Sequence, residues 1–252
     1  MRKIITLLLF VSFLGSNAQN TVLFKKANDA YNAANYEEAE TNYLKIIENG
    51  AHSASLYFNL GNVYYKQNKI APSIYYYEKA LLLDPNNAEI KNNLFFAQNT
   101  TIDAIEILPE TGFSKIIKNI TKLLSFEGWA YLAVILMFLF VAFYLCYYFF
   151  KYALYKRISF IISVTLLLVS FIAIGIAITE YNNFNIDQPA IVFKEEVEVK
   201  AEPNANGPEV FKLHEGTKVN VLEELNDWKK ISIADGKTGW LSAESIKLLK
   251  DF

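Results

Sequence analysis

The sequence predicts a multidomain membrane protein in which a helical repeat region and a small all-β domain flank a transmembrane helical hairpin. Two long runs, Trp129–Phe150 and Ile158–Thr179, contain no charged side chain and no histidine. As helices, each would reach roughly 33 Å, enough to cross the hydrocarbon core of a bilayer. Residues 20–97 contain an internal repeat, and residues 187–252 alternate apolar and polar side chains between turn signals. Buried helices of a soluble protein are the alternative for the two runs, but they rarely stay uncharged over this length.

Composition limits the classes of function. The 252 residues include 24 basic and 26 acidic side chains, and this net charge of −2 does not favour a nucleic-acid partner. Cys146 is the only cysteine and lies in the first apolar run, so no disulfide forms within the chain. Cysteine usage therefore does not indicate a redox compartment.

Residues 1–18 have the pattern of a secretory signal peptide. Arg2 and Lys3 precede an apolar core, Ile4–Leu14, and Ser16–Ala18 supplies small residues before a cleavage site at Gln19. An uncleaved membrane anchor is the alternative. In either case we expect the following segment to be exported.

Residues 20–98 are predicted to form two helix pairs and a capping helix. The second unit, Ala54–Asn87, carries the fuller pattern, and the first unit, Asn20–Ser53, matches it more loosely. The pattern of the second unit consists of Leu60-Gly61, Tyr64, Tyr77, Ala80 and Pro85. A 34-residue period with this spacing resembles the tetratricopeptide repeat, which implies two antiparallel helices per unit. The amphipathic stretch Ala88–Gln98 restarts the pattern and would cover the last repeat.

The resemblance to tetratricopeptide repeats also implies a peptide-binding groove. Its inner helices would expose Phe24, Asn28, Tyr31, Asn32, Phe58, Asn62, Tyr65 and Lys66. One subclass of the family binds a C-terminal carboxylate through basic residues and asparagines. Asn28 and Asn59 match that subclass, but Phe24, Glu89 and Asn93 replace its basic residues. An extended or helical peptide therefore fits better than a carboxylate terminus. The alternative is that the aromatic residues only pack between helices.

A linker and an amphipathic helix precede the first span. Pro109 and Gly112 interrupt residues 99–112, which are predicted to form a linker. Residues 113–126 then separate an apolar helical face from one with three lysines, and this pattern predicts a helix in the membrane interface. An ordinary helix packed on the repeats is the alternative. The apolar residues are Phe113, Ile116, Ile117, Ile120, Leu123 and Leu124, and the lysines are Lys115, Lys118 and Lys122.

The hairpin consists of spans 129–150 and 158–179 and a short cytoplasmic loop, 151–157. Three basic residues in the loop balance three before the first span, so charge alone does not fix the orientation. The exported N-terminus fixes the orientation, and we expect both flanking domains to lie outside the cytoplasm. Neither span contains an ionisable group of the kind that a transport pathway needs, so we interpret the hairpin as an anchor.

Residues 187–252 are predicted to form a small barrel. Short alternating strands are separated by turn signals such as Glu215-Gly216 and Asp235-Gly236. The order Glu215–Val219, Asp227–Ile231 and Gly236–Leu241 resembles the bacterial SH3 domain. This resemblance implies an SH3-like barrel with Trp228 and Trp240 in or beside its core.

No pattern of catalytic, cofactor-binding or metal-binding residues stands out. Gly236-Lys237-Thr238 lacks the upstream glycine of a phosphate-binding loop, and His52 and His214 have no nearby cysteine or second histidine. No Ser-His-Asp or Cys-His arrangement is visible. We therefore expect a protein that is not an enzyme and binds no cofactor.

The order of signal peptide, repeats, hairpin and SH3-like domain resembles the BatE-type proteins of the Bacteroidetes aerotolerance operon. The resemblance implies a non-enzymatic, multi-pass inner-membrane scaffold with its repeats and SH3-like domain in the periplasm. It implies envelope membrane proteins as partners, among them von Willebrand A-domain proteins, and a complex for aerotolerance or envelope stress. The alternative is an envelope sensor whose SH3-like domain binds peptidoglycan.

Overall fold

A computed structural model describes residues 19–103 and 112–250, and the side chains of residues 113 and 114 are outside this description. The predicted signal peptide and residues 104–111 of the predicted linker lie outside the described residues. The described helices are α1 (19–32), α2 (Tyr36–Glu48), α3 (Ala54–Lys66), α4 (Ile70–Leu83), α5 (Ala88–Gln98), α6 (Phe113–Thr121), α7 (Phe126–Phe149) and α8 (Ala153–Ile186). The strands are β1 (Pro189–Val192), β2 (Glu196–Lys200), β3 (Glu209–His214), β4 (Lys218–Leu225), β5 (Trp228–Ser232), β6 (Thr238–Ser242) and β7 (Ile246–Leu248).

The chain divides into two compact units. The first contains α1–α5 together with the seven-stranded sheet, and the second contains α6–α8. The sequence patterns treat the repeats and the C-terminal strands as separate domains. In the structure they pack together as one unit.

Helices α1–α4 form two helix pairs with the same kind of turn inside each pair. Ala34 and Asn68 have φ angles of 61° and 60°, so each leaves its helix in the left-handed conformation. Helix α3 begins at the N-cap Ser53, whose hydroxyl accepts a hydrogen bond from the Leu56 amide, and α5 begins at the N-cap Asn87. These local signals explain why the helices start and stop where the periodicity of the sequence changes.

The C-terminal strands form an antiparallel sheet in the order β3-β2-β6-β5-β4-β1-β7. Strands β3 and β7 lie at the two ends of this order, so closure into a barrel stays a prediction. Ile231 and Leu241 are fully buried in the core of the sheet. Trp240 pairs with Lys230, so both side chains lie on the opposite face, together with Trp228.

The sheet packs against the end of the repeats through a shared hydrophobic core. Ile191 of β1 and Leu249 are fully buried among residues of α3, α4 and α5, including Ile74 and Leu94. Burial of apolar surface from both sides is the main stabilising contribution to such an interface. Ile191 and Leu249 therefore join α4 and α5 to the sheet where a further repeat would otherwise stack.

Polar contacts surround this apolar interface. Lys218 Nζ lies 2.7 Å from Glu78 Oε2, and the Tyr75 hydroxyl donates to the Leu248 carbonyl at 3.2 Å. Gly216, at φ +85°, allows the closest approach, because a Cβ there would lie 2.8 Å from Thr101 Cγ2. The turn at Gly216 therefore needs glycine for both its backbone conformation and its packing.

Asp103 fastens the segment after α5 to the sheet. Its carboxylate accepts hydrogen bonds from the His214 amide at 2.7 Å and the Thr217 hydroxyl at 2.6 Å, and it lies 2.6 Å from His214 Nδ1. Burial acts to raise the pKa of Asp103, but the Thr217 and His214 hydrogen bonds outweigh it, so the pKa lies below its ordinary value. Part of the predicted linker thus belongs to the folded unit.

Helices α7 and α8 are long and apolar enough to cross a membrane. They pack through small side chains, and the buried Ser170 hydroxyl donates to the Ala133 carbonyl at 3.0 Å. Small residues let two helices approach closely in the absence of a hydrophobic driving force. Helix α8 starts at Ala153 and therefore includes most of the predicted loop, because lysine and arginine are good helix formers.

Candidate functional site

The inner helices of the repeats surround a concave cavity of about 380 Å³. Helices α1, α3 and α5 form its walls, and Tyr77 of α4 reaches it from the outer layer. The cavity is lined by Tyr31, Asn62, Tyr65, Lys66, Tyr77, Glu89, Asn93 and Phe96. This combination of aromatic and amide groups is typical of a site that orients a ligand through a few polar contacts.

One asparagine amide is held in place by two neighbours. The Tyr77 hydroxyl donates to Asn62 Oδ1 at 2.6 Å, and Asn93 Nδ2 donates to the same oxygen at 2.9 Å. Asn62 Oδ1 therefore accepts two hydrogen bonds, which is its full capacity. The Nδ2 group of Asn62 has no acceptor within the described part of the chain. That group is a fixed hydrogen-bond donor in the cavity wall.

The same arrangement occurs one repeat earlier. The Tyr43 hydroxyl donates to Asn28 Oδ1 at 2.5 Å, and Asn59 Nδ2 donates to it at 3.2 Å. Each repeat thus presents one asparagine oriented by a tyrosine of the outer helix and by an asparagine of the next inner helix. We call these two sets the amide ladder.

Protonated phenols keep the amide ladder oriented. Burial raises the pKa of Tyr43 to about 12, and burial raises the pKa of Tyr77 well above its ordinary value. Both hydroxyls therefore remain donors at neutral pH. The asparagine oxygens stay occupied, and the amide N–H groups remain oriented away from the tyrosines.

Two opposite charges lie in the cavity. Lys66 and Glu89 are both exposed, and neither forms an ion pair with another described residue. Tyr65 and Phe96 add exposed aromatic surface. The cavity therefore offers amide donors, apolar contacts and one charge of each sign, which suits a polypeptide segment better than a small anion.

The structure distributes seven of the eight groove residues predicted from sequence among three positions. The eighth, Asn32, is exposed at the end of α1 and does not line the cavity. Tyr31, Asn62, Tyr65 and Lys66 line the cavity. Asn28 takes the equivalent place in the first repeat. Phe24 and Phe58 contact the tyrosine rings instead, with ring centroids 5.7 Å from Tyr43 and 5.9 Å from Tyr77, respectively.

Sequence reasoning missed some of the residues that line the cavity. Tyr77 and Asn93 are the counterparts, one repeat later, of Tyr43 and Asn59, so the repeat offset itself could have identified them. The sequence pattern presents Glu89 and Asn93 only as replacements for basic residues. No sequence pattern predicted Phe96 as a cavity residue, because α5 does not complete a third repeat.

Neither His52 nor His214 lines the cavity. His52 Nδ1 lies 2.5 Å from the Tyr57 hydroxyl, and His214 contacts Asp103 at the interface with the sheet. Among the described residues, no group of three or more His, Cys, Asp or Glu side chains could hold a metal ion.

The sheet presents a second candidate surface. Trp228, Lys230 and Trp240 share its outer face, and Lys230 Nζ lies 5.9 Å from the centre of a Trp240 ring. All three side chains are partly exposed. Aromatic rings beside a cation can contact both apolar and hydroxylated ligands.

Comparisons with known proteins identify two modules. A family model described as a tetratricopeptide repeat matches residues 54–87, and one described as a bacterial SH3 domain matches residues 195–247. A search of the curated proteins found no significant match to the chain. The chain thus combines a tetratricopeptide repeat, two apolar helices long enough to cross a membrane and a bacterial SH3 domain, and the two modules belong to classes that bind proteins or peptidoglycan.

Proposed function

We propose that this protein is a non-enzymatic, membrane-anchored adaptor whose repeat groove binds an extended peptide segment of a partner protein. The amide ladder is the observation that carries the proposal. Its oriented N–H groups match the carbonyl groups of a main chain, and its period fits a ligand that runs along the groove.

The folded unit that joins the repeats to the sheet supports the proposed topology. Residues 19–103 and 188–250 share one hydrophobic core, so they occupy the same side of any membrane that α7 and α8 cross. The hairpin then crosses the membrane twice and returns to the side from which it started. Together with the signal-like N-terminus, this shared core supports our proposal that both modules lie in the periplasm and that the hairpin lies in the bacterial inner membrane.

The partner in this proposal is another envelope membrane protein. The resemblance to BatE-type proteins favours a von Willebrand A-domain protein within an aerotolerance or envelope-stress complex. An exposed peptide segment of such a partner would contact Tyr65 and Phe96 and place main-chain carbonyls against Asn62 and Asn28.

Photo-crosslinking in native membranes tests the groove. Phe95 and Phe96 are adjacent on α5 and similarly exposed, at 57% and 52%, but Phe96 lines the cavity and Phe95 does not. A photoreactive phenylalanine at position 96 should capture a partner that position 95 does not capture, and mass spectrometry should map the crosslink to an extended segment. Equal capture at both positions would contradict the proposed groove.

Asparagine variants test the amide ladder with that segment as a synthetic peptide. Asn62→Ala or Asn93→Ala should weaken binding to the full-length protein about 2- to 12-fold, because one hydrogen bond contributes roughly 0.5–1.5 kcal/mol. Asn92→Ala is the matched control. Asn92 is exposed on α5 beside Asn93 and does not line the cavity. Unchanged affinity in the Asn62 and Asn93 variants would reject the ladder as the binding element.

Cysteine labelling tests the topology. In a Cys146→Ser background, single cysteines at Lys25 and Glu223 should react with a membrane-impermeant maleimide in spheroplasts, while one at Lys151 should be protected. Labelling of Lys25 and Glu223 on opposite sides would be incompatible with the shared core.

A second candidate function is peptidoglycan binding by the sheet. The partly exposed Trp228 and Trp240 on one face favour it, because aromatic rings contact the apolar faces of sugars. Sedimentation of the detergent-solubilised full-length protein with purified cell wall tests it. A Trp228→Ala variant should remain in the supernatant if this face binds, whereas co-sedimentation equal to that of the wild type would exclude the face.

A further inference from the structure

Helix α6 and the turn that follows it present an amphipathic surface next to the first apolar helix. At about 100° per residue, Lys115 of α6 and Lys122, the C-cap of this helix, fall within about 20° on one side. The opposite side of α6 carries Ile116, Ile117 and Ile120, and Leu123 and Leu124 follow in the turn after the helix; these five residues are between 41% and 67% exposed. Five neighbouring large apolar side chains at this exposure are unusual on a surface that faces water.

Hydrogen bonds hold the C-terminal end of α6 at the start of α7. The Trp129 indole Nε1 donates to the Thr121 carbonyl at 2.8 Å, which ties the end of α6 to the first turn of α7. The Ser125 hydroxyl accepts a hydrogen bond from the Gly128 amide at 3.1 Å and caps α7 immediately after α6. Helix α6 is thus joined to the start of α7 by a short, hydrogen-bonded connection.

The length of α7 sets the depth of that connection in a bilayer. Its 24 residues extend roughly 36 Å, slightly more than the hydrocarbon core of about 30 Å. The N-terminal end of α7, with Trp129, therefore belongs at the level of the headgroups, where tryptophan is enriched. Helix α6 precedes this end by only a few residues.

The charge of this segment selects the kind of lipid. Residues 112–126 contain three lysines and no aspartate or glutamate, and Glu127 is the first acidic residue after them. Glu127 lies in the first turn of α7, where it complements the helix dipole. The lysine face is therefore complementary to an anionic headgroup layer.

We propose that α6 is a binding element for acidic phospholipid, with its apolar face in the acyl-chain boundary and with Lys115 and Lys122 at the lipid phosphates. This inference rests on the proposed membrane insertion of α7 and α8. The occupant of the apolar face is the leaflet itself, because α6 is covalently continuous with the span and carries the complementary charge. Through Trp129, the bound helix would fix the depth and rotation of the first span.

Spin labels on the full-length protein test the location of α6. In a Cys146→Ser background, nitroxides at Ile120, Asn119 and Phe138 are reconstituted into vesicles of phosphatidylcholine with about a third phosphatidylglycerol. Phe138 is highly exposed in the middle of α7 and reports membrane insertion independently of α6. We expect Ile120 to be accessible to oxygen and shielded from a polar nickel reagent, and Asn119 to be accessible to the nickel reagent.

The outcomes separate this inference from the proposed anchoring. If Phe138 is in lipid and Ile120 is accessible to the nickel reagent, or shielded from both reagents by protein, the lipid-binding role of α6 is wrong while the anchor stands. If Phe138 itself is accessible to the nickel reagent, the proposed membrane anchoring fails.

Charge variants test the preference for acidic lipid. We expect spin-labelled phosphatidylglycerol to associate with the wild type in preference to phosphatidylcholine. Lys115→Gln/Lys122→Gln should reduce that preference by about fivefold per lysine, the equivalent of about 1 kcal/mol each. Lys151→Gln/Lys156→Gln is the matched control, with the same loss of charge near the other end of α7. An equal reduction in both variants, or none in the first, would overturn the assignment to α6.

Discussion

The first repeat, α1–α2, and the second repeat, α3–α4, share their polar contacts and differ in their neighbours. Asn28 and Asn62 are oriented by equivalent tyrosines at the same separation along the chain. The second repeat also packs against the sheet through Ile191 and Leu249, and it contributes more side chains to the cavity. Sequence periodicity therefore reproduces local geometry, whereas the surroundings of each repeat depend on the rest of the chain.

The largest expected effects come from the two central tyrosines. Tyr43→Ala and Tyr77→Ala should each lower the free energy of unfolding by roughly 3–5 kcal/mol, because both side chains are almost fully buried. Tyr77→Ala should also accelerate hydrogen exchange in β1, since Tyr77 shares a core with Ile191. Urea unfolding in detergent and hydrogen-exchange mass spectrometry measure these effects. Equal exchange in β1 for the two variants would remove the proposed difference between the repeats.

The second-largest expected effect comes from removing the contact between the repeats and the sheet. It should weaken the second repeat more than the first. Ile191→Ala should cost roughly 2–5 kcal/mol, because the side chain is fully buried between the sheet and α4. Exchange should increase in α4 and α5 more than in α1 and α2. Leu222→Ala is the control, since this exposed residue of β4 should change stability by at most about 0.5 kcal/mol. A uniform increase across all five helices would show that the repeats unfold as one unit.

Asp103 should make the interface sensitive to acid. Asp103→Ala should cost about 1–3 kcal/mol, because it leaves the His214 amide and the Thr217 hydroxyl without their acceptor. The pKa of Asp103 is lowered in the folded state, so its contribution is present above the ordinary pKa of 3.8 and is lost as pH falls through the lowered value. Asp103→Asn should therefore flatten the pH dependence of unfolding in this acidic range.

The matched control for this prediction is Glu244→Gln. Glu244 is an exposed carboxylate in the short turn of helix between β6 and β7, 3.4 Å from Lys194, and its loss should leave the pH profile of the wild type almost unchanged. A pH profile of Asp103→Asn that superimposes on the wild type would show that the interface does not titrate through Asp103.

The smallest expected effect concerns the turns of the two repeats. Ala34 and Asn68 both have positive φ angles, but asparagine adopts this conformation more readily than alanine. Ala34→Gly should raise the free energy of unfolding by about 1 kcal/mol, and Asn68→Gly should change it less. Urea midpoints measured side by side test this difference, and a larger gain at position 68 would contradict it.

The candidate site shows how far local patterns reach. The resemblance to tetratricopeptide repeats predicted Tyr31, Asn62, Tyr65 and Lys66 as groove residues, and all four line the cavity. The spacing of residues along an inner helix can be read from one segment of sequence. The resemblance did not identify the Asn62–Tyr77–Asn93 set. Those three residues lie on three helices, and a hydrogen bond between helices has no period within any one of them.

The sequence alone determined the kinds of element in this protein. The two long uncharged runs predict apolar helices, the offset between the repeats predicts paired helices, and alternation around Val219 and Ile231 predicts strands. Each of these signals comes from residues a few positions apart, which is the range over which helix and strand periods act. The lengths of the elements, such as the extension of α8 from Ala153 to Ile186, were less constrained.

The tertiary structure decided how the elements join. Asp103 and Thr217 are separated along the chain by the whole hairpin, and the fusion of repeats and sheet into one unit depends on such contacts. Nothing in the pattern around either residue encodes the other, because hydrophobic burial and hydrogen bonding reward any complementary surface regardless of sequence distance. Local periodicity thus determined the modules, and surface complementarity between distant segments determined their assembly.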